Sequence, residues 1–219
     1  IDETTFYPNK GKERLKSMIE TRPDWCVSRQ RVWGVPLPIF VNKKTKEILA
    51  DDDIIENIAS IYEKEGSDCW FSDDPQRFLG DKYRAKDYEK LSDIVEVWFD
   101  SGSTHSFVLE KREDLKWPAS MYLEGSDQHR GWFHSSLLES CGTRGRAPFE
   151  TILSHGFVVD GKGLKMSKSL GNVIAPEDIL KKYGADILRI WVASSNYAED
   201  LRIDYSILDQ HAESYRKIR

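Results

Sequence analysis

Apolar residues along the chain recur with two different spacings, and each spacing predicts one kind of element. Helical spacing predicts helices over about residues 10–20, 51–65, 126–140, 176–183, 186–194 and 207–219. Asp51 offers an N-cap for the second helix, and Pro176 and Gly184 suit the first turn and the stop of the fourth. The sequence Arg22-Pro23-Asp24 predicts the end of the first helix.

Short runs rich in valine, isoleucine and aromatic residues predict strands. Two of them lie within residues 25–41 on either side of a Gly/Pro turn, and others lie over residues 95–100, 121–124 and 151–159. Residues 43–46 predict a hairpin tip, and residues 73–75 and 79–81 carry loop signals. Because strands and helices alternate from residue 95 onward, the pattern indicates an α/β fold.

The change of pattern along the chain predicts four segments. They are an entry segment over residues 1–41, an inserted subdomain over 42–96, an α/β segment over 97–174 and a helical region over 175–219. The missing initiator Met before Ile1, and a helical pattern that reaches Arg219 without a stop signal, predict that both ends continue in a longer protein.

The composition narrows the class of protein. The chain has 219 residues, of which 39% are hydrophobic and 32% are charged, as is typical of a soluble globular protein. No apolar run reaches the roughly 18–20 residues of a membrane span. Cys26, Cys69 and Cys141 form no CxxC pair, which argues against a disulfide framework or structural zinc and favours the reducing cytoplasm.

The net charge of −5 gives no overall basic footprint for nucleic acid, but the acidic excess lies within residues 42–96 and leaves RNA contacts elsewhere possible. Arg29 and Arg31 share a face of a predicted strand, where they can contact RNA phosphate or simply solvate a strand edge. The same two alternatives hold for the basic helix that begins at Lys10.

The most informative motif is a Gly-rich loop with the sequence KMSKS from Lys165 to Ser169. Lys165 and Lys168 can place two ammonium groups on one polyphosphate, where fixed cations stabilise the charge that develops on departing pyrophosphate. Ser167 and Ser169 can donate to phosphate oxygens, and the flanking glycines allow the loop to close and reopen. The alternative is an exposed basic loop without a ligand.

A second group of candidates follows the strand predicted at 121–124. In an open parallel sheet, ligands bind beyond the carboxyl ends of the strands. Glu124 and Asp127 are placed there to accept from ribose hydroxyls or an ammonium group, Gln128 can do the same, and Gly125 lets the backbone approach a nucleotide. For Asp127 a plain helix N-cap is the alternative.

Three further side chains are candidates with structural alternatives. Trp98 and Trp132 can form walls of an apolar pocket, although a core position is commoner for tryptophan. His155 can point toward adenine or phosphates, or be a structural histidine. The other histidines have no carboxylate or cysteine at ligand spacing, so no metal is assigned to protein side chains.

The KMSKS loop resembles the signature loop of class I aminoacyl-tRNA synthetases. The family's other signature, HIGH, is absent, since His155-Gly156 lies on a predicted strand and does not fit it. The run SRQRVWGVP at 28–36 resembles the segment in which the isoleucyl, valyl and leucyl subgroup re-enters the catalytic domain. WFDSG at 98–102 and YLEGSDQHRGWF at 122–133 are similar to isoleucyl members.

The resemblance covers essentially the whole chain and implies the second half of a Rossmann-like (HIGH-superfamily) nucleotide-binding domain. It implies a small inserted subdomain, a helical C-terminal exit, and partner segments that comprise the N-terminal Rossmann half, an editing domain and an anticodon-binding domain. It places Lys165 and Lys168 at the triphosphate and the group from Glu124 to Gln128 at the aminoacyl-adenylate.

The implied activity is activation of isoleucine with ATP and Mg²⁺, followed by transfer to tRNA(Ile) in the cytoplasm, without protein-bound zinc or a membrane. The segment alone is expected to be weak or inactive, because half of its ATP site is missing. A valyl or leucyl synthetase, or a non-catalytic tRNA-binding relict of the fold, are the alternatives.

Overall fold

A computed structural model describes residues 1–22 and 24–219. Pro23, at the centre of the helix stop predicted for 22–24, lies outside the described residues. The chain divides into two compact units, of which the first comprises Ile1–Thr21 and His105–Arg219 and the second comprises Arg22–Thr104. In chain order, the second unit is therefore inserted into the first. The segment boundaries predicted after residues 41, 96 and 174 stay predictions.

The strands and helices of the described residues are mostly short. In chain order they are β1 (Thr5–Tyr7), α1 (Lys10–Glu20), β2 (Ser28–Arg29), β3 (Phe40–Asn42), α2 (Asp52–Glu65), α3 (Cys69–Ser72), α4 (Pro75–Leu79), β4 (Tyr88–Lys90), β5 (Ile94–Val95), α5 (Val97–Gly102), β6 (Tyr122–Gly125), α6 (Trp132–Arg144), β7 (Thr151–His155), β8 (Val158–Asp160), α7 (Pro176–Tyr183), α8 (Ala185–Ser194), β9 (Leu201–Ile203) and α9 (Tyr205–Ile218).

The centre of the first unit is a three-stranded sheet with the order β1-β7-β6, in which both pairings are parallel. Phe6, Ile152 and Tyr122 stand side by side in the register and are buried on one face. Leu15 of α1 and Phe133 of α6 pack against that face and complete the core. Burial of such a side chain contributes roughly 1.5–3 kcal/mol. The predicted α/β fold is confirmed.

A second core of this unit lies in the helical region that follows. Pro176 occupies the first turn of α7, and Gly184 ends that helix with a φ of 82°, as predicted. The parallel pair β8–β9 connects this region to the sheet segment. Its buried side chains come from α7, α8, β9 and α9, namely Ile179, Ile187, Trp191, Ile203, Leu208 and Ala212.

The second unit has its own core around Trp70, which contacts Phe40 and Phe78. The predicted helix α2 begins after Asp51, whose side chain accepts a hydrogen bond from the backbone of Asp53 at 3.1 Å. The predicted hairpin tip is also present: turn residues follow β3, and the Lys46 amide donates to the Asn42 carbonyl at 2.9 Å.

The strand predicted over 95–100 is wrong. Only Val95 continues a strand, and the chain then forms helix α5, because the Glu96 carbonyl accepts from the Phe99 amide at 2.8 Å and starts a helical turn. Trp98 therefore lies on a helix rather than at a strand end. The first strand predicted within 25–41 is likewise reduced to Ser28–Arg29, which leaves Arg31 beyond the strand.

The single strand predicted over 151–159 is divided into β7 and β8 at Gly156 and Phe157. At Gly156 the chain passes close to a distant segment, since a Cβ there would lie 2.2 Å from the Glu199 carbonyl oxygen. The helix predicted over 126–140 is also interrupted. A 3₁₀ turn over Ser126–Arg130 comes first, and α6 begins after Gly131.

Candidate active site

Glu124 and Gly125 end strand β6, where the register places them beside Ser154 and His155 of β7. Both strands are parallel, so these residues meet at the carboxyl edge of the sheet. Glu124 is exposed, whereas Gly125 is buried. A Cβ at Gly125 would lie 2.7 Å from Oδ1 of Asp127, so the absence of a side chain lets that carboxylate fold back over the strand end.

Gln128 performs the capping role that the sequence offered to Asp127. Its Oε1 accepts from the backbone amide of Trp132 at 2.9 Å, which caps α6, whose N-cap position is the side-chain-free Gly131. Its Nε2 donates to Oδ2 of Asp127 at 3.1 Å. Both ends of the Gln128 amide are thus engaged. Among residues 1–22 and 24–219, no backbone amide of the 3₁₀ turn is capped by the exposed Asp127 carboxylate.

His155 has a defined orientation at the same edge. Its Nδ1 lies 2.7 Å from the Gly156 carbonyl oxygen. Because a carbonyl oxygen only accepts, Nδ1 donates this hydrogen bond, and Nε2 is left as the second polar atom of the ring. The ring is half-buried and lies near the Gly125 backbone.

His129 is a buried histidine of the site region that sequence reasoning missed. Its Nδ1 donates to the Ser126 carbonyl oxygen at 2.8 Å, and a Cβ at Gly11 of α1 would lie 2.8 Å from its Nε2. Burial lowers the pKa of His129, and the nearby Arg14 lowers it further. The sequence signal for this close approach is Gly11 in the first turn of α1.

We expect His129 to make the stability of the protein fall as the medium becomes acidic. Its pKa in the folded state lies below the ordinary value of 6.5, so the unfolded chain binds the proton first as the pH falls below about 6.5. His129→Gln should therefore flatten the fall in melting temperature between about pH 6.5 and 5. Above about pH 7.5 the two slopes should coincide, and equal slopes at acidic pH would contradict the assignment.

The two tryptophans proposed for a side-chain pocket lie in different units. Trp132 is half-buried and stacks on Tyr122, with ring centroids 4.0 Å apart and planes 2° apart. This contact places much of the ring against the core. Trp98 is 41% exposed on α5 of the second unit. The pocket role of both stays a prediction.

The KMSKS loop leaves the sheet segment through β8. Lys165 forms an antiparallel bridge with Val159, so the first half of the loop folds back on its own strand. Ser167 caps a 3₁₀ turn over Lys168–Leu170 by accepting from the Leu170 amide at 3.2 Å, and its hydroxyl lies 3.1 Å from that of Ser169. The side chains of Lys165 and Lys168 are exposed.

Arg29 supports its own unit. Its guanidinium donates to the carbonyl oxygens of Cys26 and Ser28 at 2.7 and 2.8 Å, and it lies 3.8 Å from the buried Glu96. Arg31 is exposed beyond the strand, so the two arginines share no strand face. Contact of either residue with RNA stays a prediction.

The described residues offer neither a grouped set of metal-binding side chains nor a helix that could cross a membrane. Across residues 1–22 and 24–219, no three His, Cys, Asp or Glu side chains are grouped so as to hold a metal ion. In the same residues, every helix is too short or too polar to cross a lipid bilayer. The cysteines are free thiols.

The family model for class I tRNA synthetases (I, L, M and V) matches residues 1–204, and the chain belongs to this family. The isoleucine–tRNA ligase of Pelagibacter ubique (strain HTCC1062) is 89% identical over 219 residues, which are 100% of this chain and 24% of that protein. The isoleucine–tRNA ligase of Zymomonas mobilis subsp. mobilis is 56% identical, over 100% of this chain and 23% of that protein. The chain thus spans about a quarter of the length of the curated relatives it matches.

Solved structures share the fold. The LeuRS–tRNA–LeuAMS ternary complex from Agrobacterium radiobacter K84 aligns with a TM-score of 0.60 at 22% identity, over 89% of this chain and 27% of that chain. Mycobacterium tuberculosis methionyl-tRNA synthetase in complex with methionyl-adenylate aligns with a TM-score of 0.62 at 17% identity, over 96% of this chain and 33% of that chain.

Proposed function

We propose that this chain is the part of an isoleucine–tRNA ligase that binds ATP and the aminoacyl-adenylate during isoleucine activation. The observation that carries the proposal is the presence, in one compact unit, of the KMSKS loop and the polar sheet edge at Glu124, Gly125 and His155. The 89% identity to the Pelagibacter ubique isoleucine–tRNA ligase supports isoleucine as the amino acid that is activated.

In the first step, an isoleucine carboxylate oxygen attacks the α-phosphate of ATP, the bond to the β-phosphate bridging oxygen breaks, and Mg²⁺-pyrophosphate leaves. The ammonium groups of Lys165 and Lys168 stabilise the negative charge on the departing group. The hydroxyls of Ser167 and Ser169 lie on the same loop and donate to phosphate oxygens. In the second step, a hydroxyl at the 3′ end of tRNA(Ile) attacks the isoleucyl carbonyl and AMP leaves.

The sheet edge holds the adenylate. The exposed carboxylates of Glu124 and Asp127 accept from the isoleucine ammonium group or the ribose hydroxyls, and Gly125 offers backbone without a side chain. Gln128, fixed by its bonds to Trp132 and Asp127, keeps that carboxylate in place. His155 contributes Nε2 on the phosphate or adenine side.

Trp132 lines the apolar pocket for the isoleucine side chain, and the pocket role of Trp98 stays a prediction. Such a pocket distinguishes isoleucine from valine only weakly, because the two differ by one methylene, and isoleucyl enzymes are the standard illustration of this limit. Hydrolytic editing by another domain of the same enzyme would supply the remaining selectivity.

The proposed partner segments are an N-terminal Rossmann half, an editing domain and an anticodon-binding domain. They would belong to a cytoplasmic enzyme that binds no zinc through this chain.

One surface of the sheet supports the N-terminal Rossmann half as a partner. Tyr7 and Leu123 are 50% and 54% exposed and alternate with the buried Phe6 and Tyr122, so they lie on the sheet face opposite the core. An apolar face of this kind suits a second layer of the same enzyme.

Amino-acid-dependent ATP–pyrophosphate exchange by the full-length protein tests the proposal. We expect isoleucine to give the highest kcat/KM, with valine weaker and leucine weaker still, and tRNA(Ile) to be charged with isoleucine. A preference for valine or leucine would assign the chain to the corresponding synthetase. Tight tRNA binding without exchange for any amino acid would favour the non-catalytic relict.

A further inference from the structure

Two polar side chains close the base of the KMSKS loop, and we refer to Asp160 and Asn172 as the loop clasp. Asp160 ends β8. Its Oδ1 accepts from the backbone amides of Lys162 at 2.9 Å and Leu164 at 2.8 Å. Its Oδ2 accepts from Nδ2 of Asn172 at 2.9 Å. One carboxylate therefore holds the turn that enters the loop and also the residue that leaves it.

Asn172 reaches into the loop from its far end. Its Oδ1 accepts from the backbone amide of Ser167 at 2.9 Å, and its Nδ2 also donates to the carbonyl oxygen of Lys165 at 3.3 Å. These two contacts bracket the middle of the motif. The backbone at Lys165 and the backbone just before Lys168 are thus both tied to the Asn172 amide.

The base of the loop is seated on a fixed support. A Cβ at Gly161 would lie 2.1 Å from Oδ2 of Asp204, and the other oxygen of Asp204 caps α9 by accepting from the Ile207 amide at 2.8 Å. Because α9 is packed into the helical core through Leu208, the turn at Gly161 rests on a rigid element.

Asp160 is suited to its part in the clasp because it is ionised. The hydrogen bond from Asn172, together with those from backbone amides, holds the pKa of Asp160 below its ordinary value. The carboxylate accepts hydrogen bonds from three N–H groups and has no proton to donate. It can therefore bond to the Asn172 side chain only through the Nδ2 donor of that amide.

We propose that Asp160 and Asn172 are positioning residues that set the ammonium groups of Lys165 and Lys168 for the triphosphate, through the backbone of the loop. This inference rests on the proposed function of the loop. It predicts that changes to the loop clasp impair the reaction with ATP and pyrophosphate but leave the binding of isoleucine unchanged. Misplacement of such groups by about 1 Å is enough to slow a reaction strongly.

A swap of the two side chains tests the clasp in the full-length protein. Asp160→Asn places an amide against the Asn172 amide, and Asn172→Asp places two carboxylates face to face. Each change is expected to lower kcat/KM for ATP about tenfold or more in isoleucine-dependent exchange, with little change in KM for isoleucine. The double variant Asp160→Asn/Asn172→Asp restores a matched donor and acceptor and should recover most of the loss.

Recovery in the double variant is expected to be partial, because the Lys165 carbonyl oxygen loses the hydrogen bond that it accepts from Nδ2 of Asn172 at 3.3 Å. Asp114→Asn is the matched control, since Asp114 is an exposed carboxylate of the same unit that pairs with Arg112. It should keep the exchange kinetics of the unchanged protein. Normal kcat/KM for ATP in both single variants, or a loss that the swap leaves uncorrected, would overturn the proposal.

Trypsin cleavage after Lys165 and Lys168 gives a readout that does not depend on activity. Each single variant should be cut faster at these sites than the unchanged protein, and the double variant should be cut more slowly than either. If exchange is absent in the unchanged protein, the proposed function fails, but the cleavage rates still decide whether the clasp orders the loop. Equal cleavage rates in all four proteins would refute the clasp even where exchange is normal.

Discussion

Replacement of Lys168 by alanine in the full-length protein is expected to lower isoleucine-dependent ATP–pyrophosphate exchange by about 10²- to 10³-fold, the range found when one preorganised charge-stabilising group is removed. The physical reason is that pyrophosphate leaves with more negative charge than it carries within ATP, so a fixed ammonium group favours the transition state over bound ATP. Lys165→Ala should give a loss of the same order.

Melting temperature separates this effect from damage to the fold. The side chains of Lys165 and Lys168 are both exposed, so their removal should leave stability nearly unchanged. Lys181→Ala removes the same charge from an exposed position on α7 and should keep full exchange. Normal exchange by Lys168→Ala would contradict the electrostatic role and favour a non-catalytic protein.

The elements that sequence reasoning predicted well are those fixed by local signals. Pro176 and Gly184 bound α7 because proline cannot donate inside a helix and glycine accepts a positive φ. Asp51 starts α2 through a contact only two residues away. The KMSKS loop was also visible, because its lysines, serines and glycines are adjacent in the chain.

Two errors of prediction arose where residue propensity and spacing do not decide the local structure. Val97, Trp98 and Phe99 favour a strand by propensity, yet they form α5 after the Glu96 turn. The break at Gly156 depends on the passage of the chain past Glu199, which no local pattern reveals.

The candidate site shows the same limit. Asp127 carries the sequence signal of an N-cap, but the interruption at Gly131 moves the start of α6 and gives the capping role to Gln128. The contact between Gly11 and the buried His129 joins residues that are far apart in the chain. The loop clasp was missed for a similar reason: its geometry appears only when β8 and the end of the loop are brought together.

Replacement of Trp70 by alanine is expected to lower the free energy of unfolding of the second unit by about 3–5 kcal/mol. Trp70 is fully buried, its ring centroid lies 5.1 Å from that of Phe40 and 4.9 Å from that of Phe78, and its Nε1 donates to the Leu91 carbonyl oxygen at 2.7 Å. The change leaves a cavity and removes the donor to the partly buried Leu91 carbonyl oxygen. Urea unfolding followed by circular dichroism measures the loss.

Trp33→Ala is the matched control, because Trp33 belongs to the same unit and is 89% exposed, and it should change stability by no more than about 0.5 kcal/mol. Trp70→Phe keeps an aromatic ring but loses the bond to Leu91, so it should fall between the two. An equal loss for Trp33→Ala and Trp70→Ala would contradict the assigned core.

Hydrogen exchange in the Trp70→Ala variant tests whether the second unit unfolds on its own. Because Arg22–Thr104 is inserted into the first unit as a separate compact unit, we expect exchange to accelerate in α2 while the sheet β1-β7-β6 keeps its protection.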